Sequence, residues 1–249
     1  MIKEKRFAYI LGKLQEQQEV GFAQLSTDLN VSEDTIRRDI DALNNNGLLM
    51  KIRGGAIPRS HNPLTFKERI GYLRDDKEVI ALKAQPLVKS GQTIFLDGGT
   101  SVYTLVSLLA TDIKLTVITN NTAIIPALSA YANVKLIILG GTYFKESETI
   151  VGLQAINMVK NFQADLYFMG ICALDTQRGV TASFLEEAEL KQAMLQHSGT
   201  AVALSTFEKL ETYETYRVCA IEDLDYIITE VDAADEKFDA FKQVGVKIL

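Results

Sequence analysis

Apolar residues recur at helical spacing through the first third of the chain. Phe7, Ile10, Leu11 and Leu14 predict a helix over about residues 3–17, and Phe22, Leu25 and Leu29 predict a second, shorter one. Asn30-Val31-Ser32 then reads as a tight turn, with Ser32 placed to cap a third helix. Glu33 and Asp34 suit the positive end of that helix dipole. Ile36, Ile40 and Leu43 form its inward stripe, and Asn44-Asn45-Asn46-Gly47 ends it. Leu48 to Ile52 is strand-like, and Gly54-Gly55 sits where a hairpin would turn before Ala56-Ile57.

Between residues 58 and 74 the pattern breaks. Pro58 and Pro63 interrupt regular structure, and Lys67, Glu68, Arg69 and Arg74 make the stretch polar, so it is read as a linker. Short continuous apolar runs then alternate with helical patterns. Strands are expected at 93–96, 115–119, 134–139, 166–169, 200–204, 226–229 and 245–249. Helices are expected around Val79–Leu87, from Thr100 to about Ala110, and over 123–131, 153–162 and 184–196. Buried strands alternating with helices predict an α/β fold with a doubly wound, mostly parallel sheet. The expected domains are a helix-turn-helix head over 1–57, a linker over 58–74 and an α/β body over 75–249.

Composition narrows the class. A hydrophobic fraction of 47% and a charged fraction of 23% are those of a globular protein. No apolar run approaches the roughly 20 residues of a membrane helix, and the first residues lack the apolar stretch of a secretory signal. Cys172 and Cys219 lie far apart in apolar segments and read as core thiols of a reducing compartment, so a cytoplasmic location is expected. Two histidines and no paired cysteines give no support to a metal site. The net charge of −6 is unevenly spread. Residues 1–60 hold nine basic and eight acidic side chains, and the remainder 17 and 24. A charge-balanced head on an acidic body suits a protein that meets DNA with one end.

Two helices joined by a tight turn can place the second in the major groove, N-terminus first. The face opposite Ile36, Ile40 and Leu43 carries Thr35 and Arg38, flanked by Ser32, Glu33 and Arg37, and these are the expected DNA contacts. The sequence leaves open which arginine reads a base and which holds a phosphate. The competing reading is a solvated face whose Arg37, Arg38, Asp39 and Asp41 pair with one another. Lys51, Arg53 and Gly54 read as a wing along the DNA backbone, or as an ordinary exposed hairpin.

In open α/β sheets ligands bind outside the carboxyl ends of the strands. Asp97-Gly98-Gly99-Thr100-Ser101, Thr119-Asn120-Asn121, Gly140-Gly141 and Gly170 gather there. Glycine lets backbone approach a ligand, and a helix starting near Ser101 aims free N–H groups at a phosphate. Glu187 and Lys191, four apart on a helix, read either as a surface pair or as residues of the pocket mouth. Lys209 reads as a phosphate counter-charge or a solvated lysine.

These residues carry a resemblance to the DeoR-type regulators. In the head it rests on Val31 to Ile40, Gly47-Leu48 and Arg53-Gly54-Gly55-Ala56. In the body it rests on Ile94 to Ser101, Val117 to Asn120, Gly140-Gly141, Gly152, Gly179-Val180-Thr181 and Glu187 to Lys191. The resemblance implies a winged helix-turn-helix repressor of a carbohydrate operon that binds double-stranded operator DNA and responds to a phosphorylated sugar. It implies no catalytic residue and no cofactor beyond that effector, and a sensor fold similar to ribose-5-phosphate isomerase. Asp97, Gly99, Thr100 and Ser101 would form the phosphate loop, with Thr119, Asn120, Gly141, Glu187 and Lys191 lining the pocket. The family usually has Asp-Ser-Ser-Lys after the late strand. Here Thr206-Phe207-Glu208-Lys209 keeps only the lysine. A homodimer or homotetramer is expected, because one head makes too few base contacts for specificity. The alternative function is a sugar-phosphate isomerase with an accessory head, using Asp97 or Glu187 as base.

Overall fold

Ile36, Ile40 and Leu43 are fully buried, as their i, i+4, i+7 spacing requires, and the head is built around them. In this computed structural model residues 3–17, 19–45, 49–57 and 66–249 are described. The chain divides into two compact units, Met1–Pro63 and Leu64–Leu249. The first contains α1 (Lys3–Gln17), β1 (Val20–Gly21), α2 (Phe22–Leu29), α3 (Glu33–Asn45), β2 (Met50–Ile52) and β3 (Gly55–Ile57). Its core joins Ile10 and Leu14 of α1 and Leu25 and Leu29 of α2 to the α3 stripe, with Leu49 and Ala56 beneath. Each buried leucine or isoleucine among these contributes about 1.5–3 kcal/mol relative to exposure.

α2 ends on Asn30, whose φ of 51° turns the chain toward α3. The Ser26 hydroxyl closes the turn by donating to the Val31 carbonyl at 2.6 Å. Ser32 caps α3 as expected, its Oγ accepting from the Thr35 amide at 3.3 Å. The wing is a three-stranded antiparallel sheet in the order β1-β3-β2. β1 was not anticipated: two residues are too few to show a period. It pairs Val20 with Ala56 and Gly21 with Gly55. A Cβ on Gly55 would stand 2.0 Å from the Val20 carbonyl oxygen, so this pairing requires glycine. The expected stop at Asn46-Gly47, Leu48 of the predicted strand and residues 58–65 lie outside the described residues.

The second unit begins with α4 (Phe66–Gly71) and α5 (Arg74–Ala84), so within the stretch read as linker residues 66–71 and Arg74 are helical, with a turn at 72–73 between them. Phe66 is only 2% exposed and meets the Tyr103 ring edge-on at 6.3 Å, which anchors α4 despite its polar flanks. There follow β4 (Thr93–Leu96), α6 (Thr100–Ser107), β5 (Leu115–Thr119), α7 (Ile125–Leu128), β6 (Val134–Ile138), β7 (Thr142–Phe144), β8 (Thr149–Val151) and α8 (Leu153–Val159). Then come β9 (Leu166–Gly170), β10 (Ala173–Asp175), β11 (Gly179–Ala182), α9 (Leu185–Gln196), β12 (Ala201–Leu204), β13 (Tyr216–Cys219), β14 (Tyr226–Ile228), α10 (Asp239–Gln243) and β15 (Lys247–Ile248). The predicted helix over 123–131 is shorter than expected: a 3-10 turn at Thr122–Ile124 runs into the single turn of α7.

Seven strands form one parallel sheet in the order β15-β14-β12-β9-β4-β5-β6. Successive residues of its strands face opposite cores. Ile94, Leu96 and Phe168 pack with α5 and α6 on one side; Phe95, Tyr167 and Met169 pack with α8 and α9 on the other. The sheet is thus doubly wound. The chain runs from β4 outward through β5 and β6, then returns to β9 and runs the other way. The topological switch point lies between β4 and β9.

Candidate functional site

α3 presents an exposed face carrying Ser32, Glu33, Arg37 and Arg38, with Thr35 half-buried beside them. The Ser32 and Thr35 hydroxyls lie 2.9 Å apart. Arg37 contacts Glu33 at 3.4 Å and lies 5.5 Å from the Phe22 ring centroid. Arg38 is exposed and makes no ion pair with any described residue. The self-paired charge face is not what forms. Asp39 is buried and takes both Nε and Nη2 of Arg6 from α1, at 2.5 and 2.9 Å, while Asp41 pairs with Lys51 at 2.5 Å. Lys51 is thereby partly neutralised, whereas Arg38 stays exposed. At the wing tip Arg53 is exposed, and Gly54 turns the chain with φ 94° in open space.

In the body the sequence-selected residues meet at the switch point. Gly98 and Gly99 link β4 to α6, and the helix amides of Thr100, Ser101 and Val102 bond to no described residue. The hydroxyls of Thr100 and Ser101 are likewise uncommitted among the described residues, as the Thr100 carbonyl alone is used, by Thr104. Orphan amides at a helix start are donors for an anion. The loop is packed against its neighbours to within backbone contact. A Cβ on Gly170 would lie 2.1 Å from the Gly98 carbonyl oxygen, and one on Gly98 would lie 2.5 Å from the Thr149 methyl.

Asp97, expected as a ligand contact, is the post that holds this loop. Its Oδ2 accepts from Lys191 Nζ and Tyr167 OH, each at 2.5 Å, and its Oδ1 accepts from the Gly170 amide at 2.7 Å. Lys191 also donates to the Gly170 carbonyl at 2.8 Å, so it does not form the surface pair with Glu187. Burial pushes the Asp97 carboxyl up, and the Lys191 charge opposes it. For Lys191 burial acts downward, but Asp97 reverses it and holds the ammonium above its ordinary value. Tyr167, raised well above its usual range by burial and then by Asp97, stays a proton donor.

The remaining residues divide. The Thr119 hydroxyl is spent on the Leu96 carbonyl at 2.5 Å and on the Asn121 amide. Asn120 donates to the Ile150 carbonyl at 3.0 Å, and its buried Oδ1 has no partner among the described residues. Gly141 lies against β8, where a Cβ would stand 2.5 Å from the Val151 oxygen. Glu187 is half-buried at the start of α9. Lys209 Nζ donates to the Ile171 carbonyl at 2.7 Å, at the end of β9. Sequence reasoning missed Arg69, Tyr72 and Lys77, all assigned to the linker or its margin. Tyr72 donates to Glu208 at 2.7 Å, so the loop that lacks the family's aspartate carries a carboxylate two residues later. Two further cavities, of about 410 and 440 Å³, open at the amino ends of the strands, lined by Asp223, Asp225 and Thr200 among others, away from these donors.

Residues 74–231 match the DeoR C terminal sensor domain, and residues 6–61 match the DeoR-like helix-turn-helix domain. The chain belongs to the DeoR family. It is 31% identical to the HTH-type transcriptional regulator GolR of Listeria innocua over 96% of this chain and 95% of that one. It is 28% identical to the HTH-type transcriptional repressor GlcR of Bacillus subtilis, covering 100% and 96%. It is 24% identical to the glycerol-3-phosphate regulon repressor of Escherichia coli K12, covering 92% of each. A ribose 5-phosphate isomerase of Methanocaldococcus jannaschii superposes with a TM-score of 0.41 and 16% identity over 55% of each chain. This DeoR-family chain is a DNA-binding transcriptional regulator, not an isomerase. Among the described residues no group of side chains is placed to hold a metal, and no helix is long and apolar enough to cross a membrane.

Proposed function

We infer that this regulator represses a carbohydrate-metabolism operon from the cytoplasm, gripping operator DNA with α3 and the wing and changing affinity when a phosphorylated metabolite occupies the switch point. The observation that carries the reading is the Gly98–Ser101 loop. It is held rigidly by the Asp97–Lys191–Tyr167 cluster, while its helix amides and two hydroxyls have no partner among the described residues. Preorganised, unspent donors at a helix start suit a phosphate monoester. The name of the glycerol-3-phosphate regulon repressor of Escherichia coli agrees with this class. Ser32, Thr35 and Arg38 contact DNA, with Arg37, Glu33, Lys51, Arg53 and Gly54 around them, and the working species is a homodimer or homotetramer.

A thermal-shift screen of phosphorylated sugars and polyols against their unphosphorylated forms tests the effector half. A ligand at 100 times its dissociation constant stabilises the fold by about 2.7 kcal/mol, visible as a raised Tm. A phosphate-dependent rise that also alters operator affinity is expected. Equal shifts with and without phosphate would remove the loop from the argument.

A further inference from the structure

α4 spans the carboxyl rim of the sheet beside the phosphate loop. At one end Phe66 packs on Tyr103 of α6, the helix that the loop begins. At the other, Tyr72 donates to Glu208 in the loop after β12. Lys77 of α5 fastens the strap from below, its Nζ donating to the carbonyls of Arg69 and of Tyr72, the latter at 2.5 Å. Arg69 lies between these attachments. Its guanidinium carbon lies 5.9 Å from the Phe66 ring centroid, and its Nε is buried with no hydrogen-bond partner among the described residues.

Three cations share this stretch of rim with the Glu208 carboxylate, which accepts from the Tyr72 hydroxyl. Arg69, Lys77 and Lys209 form no ion pair with any described residue. Among the described residues Lys77 and Lys209 donate to backbone carbonyls only, and Arg69 Nε donates to none. Buried or half-buried cations are ordinarily paired, and an orphaned guanidinium nitrogen calls for an acceptor. Burial first lowers Lys209, and the Arg69 charge adds to this against the opposing effects of Cys172 and Glu208. A guanidinium presents the planar fork that takes two phosphate oxygens at once.

We propose that α4 is the ligand-sensing strap of this site: Arg69, with Lys209, supplies the counter-charge for the effector's phosphate. Occupancy is thereby registered in the first described helix that follows the DNA-binding head along the chain. This rests on the effector reading above and adds the residue and the element through which it acts.

Inorganic phosphate is the probe, titrated into the full-length protein at constant ionic strength against chloride, with hydrogen exchange followed in peptides over 66–73 and 97–107. The wild type gains protection in both. Arg69→Met keeps the apolar stem against Phe66 and removes a charge with no ion pair among the described residues, whose guanidinium carbon lies 5.9 Å from the Phe66 ring centroid, so its unliganded Tm stays close to that of the wild type. Its phosphate affinity falls at least about tenfold, protection over 66–73 disappears, and Arg69→Lys recovers part of both. Protection confined to 97–107, with Arg69→Met binding phosphate as the wild type does, overturns the strap and leaves the effector reading standing. A lowered unliganded Tm, restored by Arg69→Lys without restoring affinity, overturns it in favour of a structural arginine. No protection anywhere in the wild type defeats the effector reading and this inference with it.

Discussion

Lys191 Nζ stands 2.5 Å from Asp97 Oδ2 across 94 positions of sequence, and both side chains are buried. Lys191→Met leaves the Asp97 carboxylate buried with only the Tyr167 hydroxyl and the Gly170 amide, and should cost about 3–5 kcal/mol in urea unfolding. Removing both charges with Asp97→Asn/Lys191→Met should cost less than the two single changes added together, because neither charge is then stranded. A loss below about 1 kcal/mol for Lys191→Met would show that the pair does not hold the loop.

Gly170→Ala tests the contact between the two strands that flank the switch point. The new Cβ would stand 2.1 Å from the Gly98 carbonyl oxygen, a backbone atom that can only move with its loop. The variant should bind operator as the wild type does without effector, and lose the 1–3 kcal/mol or so of coupling on which induction depends. Fluorescence anisotropy with and without the screened effector reads both. An unchanged response would mean that the loop accommodates the methyl and is not rigid.

How much of this was legible in the sequence depended on whether the determining pattern was local. The Ile36-Ile40-Leu43 stripe and the Ser32 cap are one-helix features, and both stand as expected. The strand runs of the main sheet were readable because most are predominantly apolar, with Lys135 in β6 and Lys247 in β15 the charged exceptions, and the glycine loops marked its carboxyl edge. β1, β7, β8 and β10 have two or three residues each, less than a pattern needs to declare itself. α4 was taken for linker because one buried anchor, Phe66, is outvoted by the charges that follow it. Asp97 and Lys191 were both expected to touch ligand, since nothing local says that two charges 94 residues apart neutralise each other.

Arg38→Ala should leave stability within about 0.5 kcal/mol, because the exposed guanidinium makes no ion pair with any described residue. Operator affinity should fall by about 1–3 kcal/mol if Arg38 reads a base, with discrimination lost at one position of the site. If it holds a phosphate, affinity falls for all sequences and the salt slope drops by about one. Effector affinity of the free protein stays unchanged in either case. Wild-type DNA binding by Arg38→Ala would displace the interface from this face of α3.

Lys77 gives the body a pH dependence opposite to that of a paired lysine. Burial first, and the Lys209 charge next, bring it from 10.5 down to about 8. Its two carbonyl acceptors can be served by the two hydrogens of a neutral amine, so losing the proton need not cost the strap its fastening. Below about pH 8 the ammonium is charged in both folded and unfolded chains, and folding carries the cost of burying it. Between about 8 and 10.5 the unfolded chain still binds the proton and the folded one does not, so this contribution to stability rises with pH. The full gap corresponds to roughly 3 kcal/mol. Urea unfolding at pH 7.5 and pH 9.5 should show wild-type stability rising relative to Lys77→Met across that interval. Parallel pH profiles for the two proteins would mean that the ammonium is not penalised in the fold, and that its carbonyl contacts offset its burial.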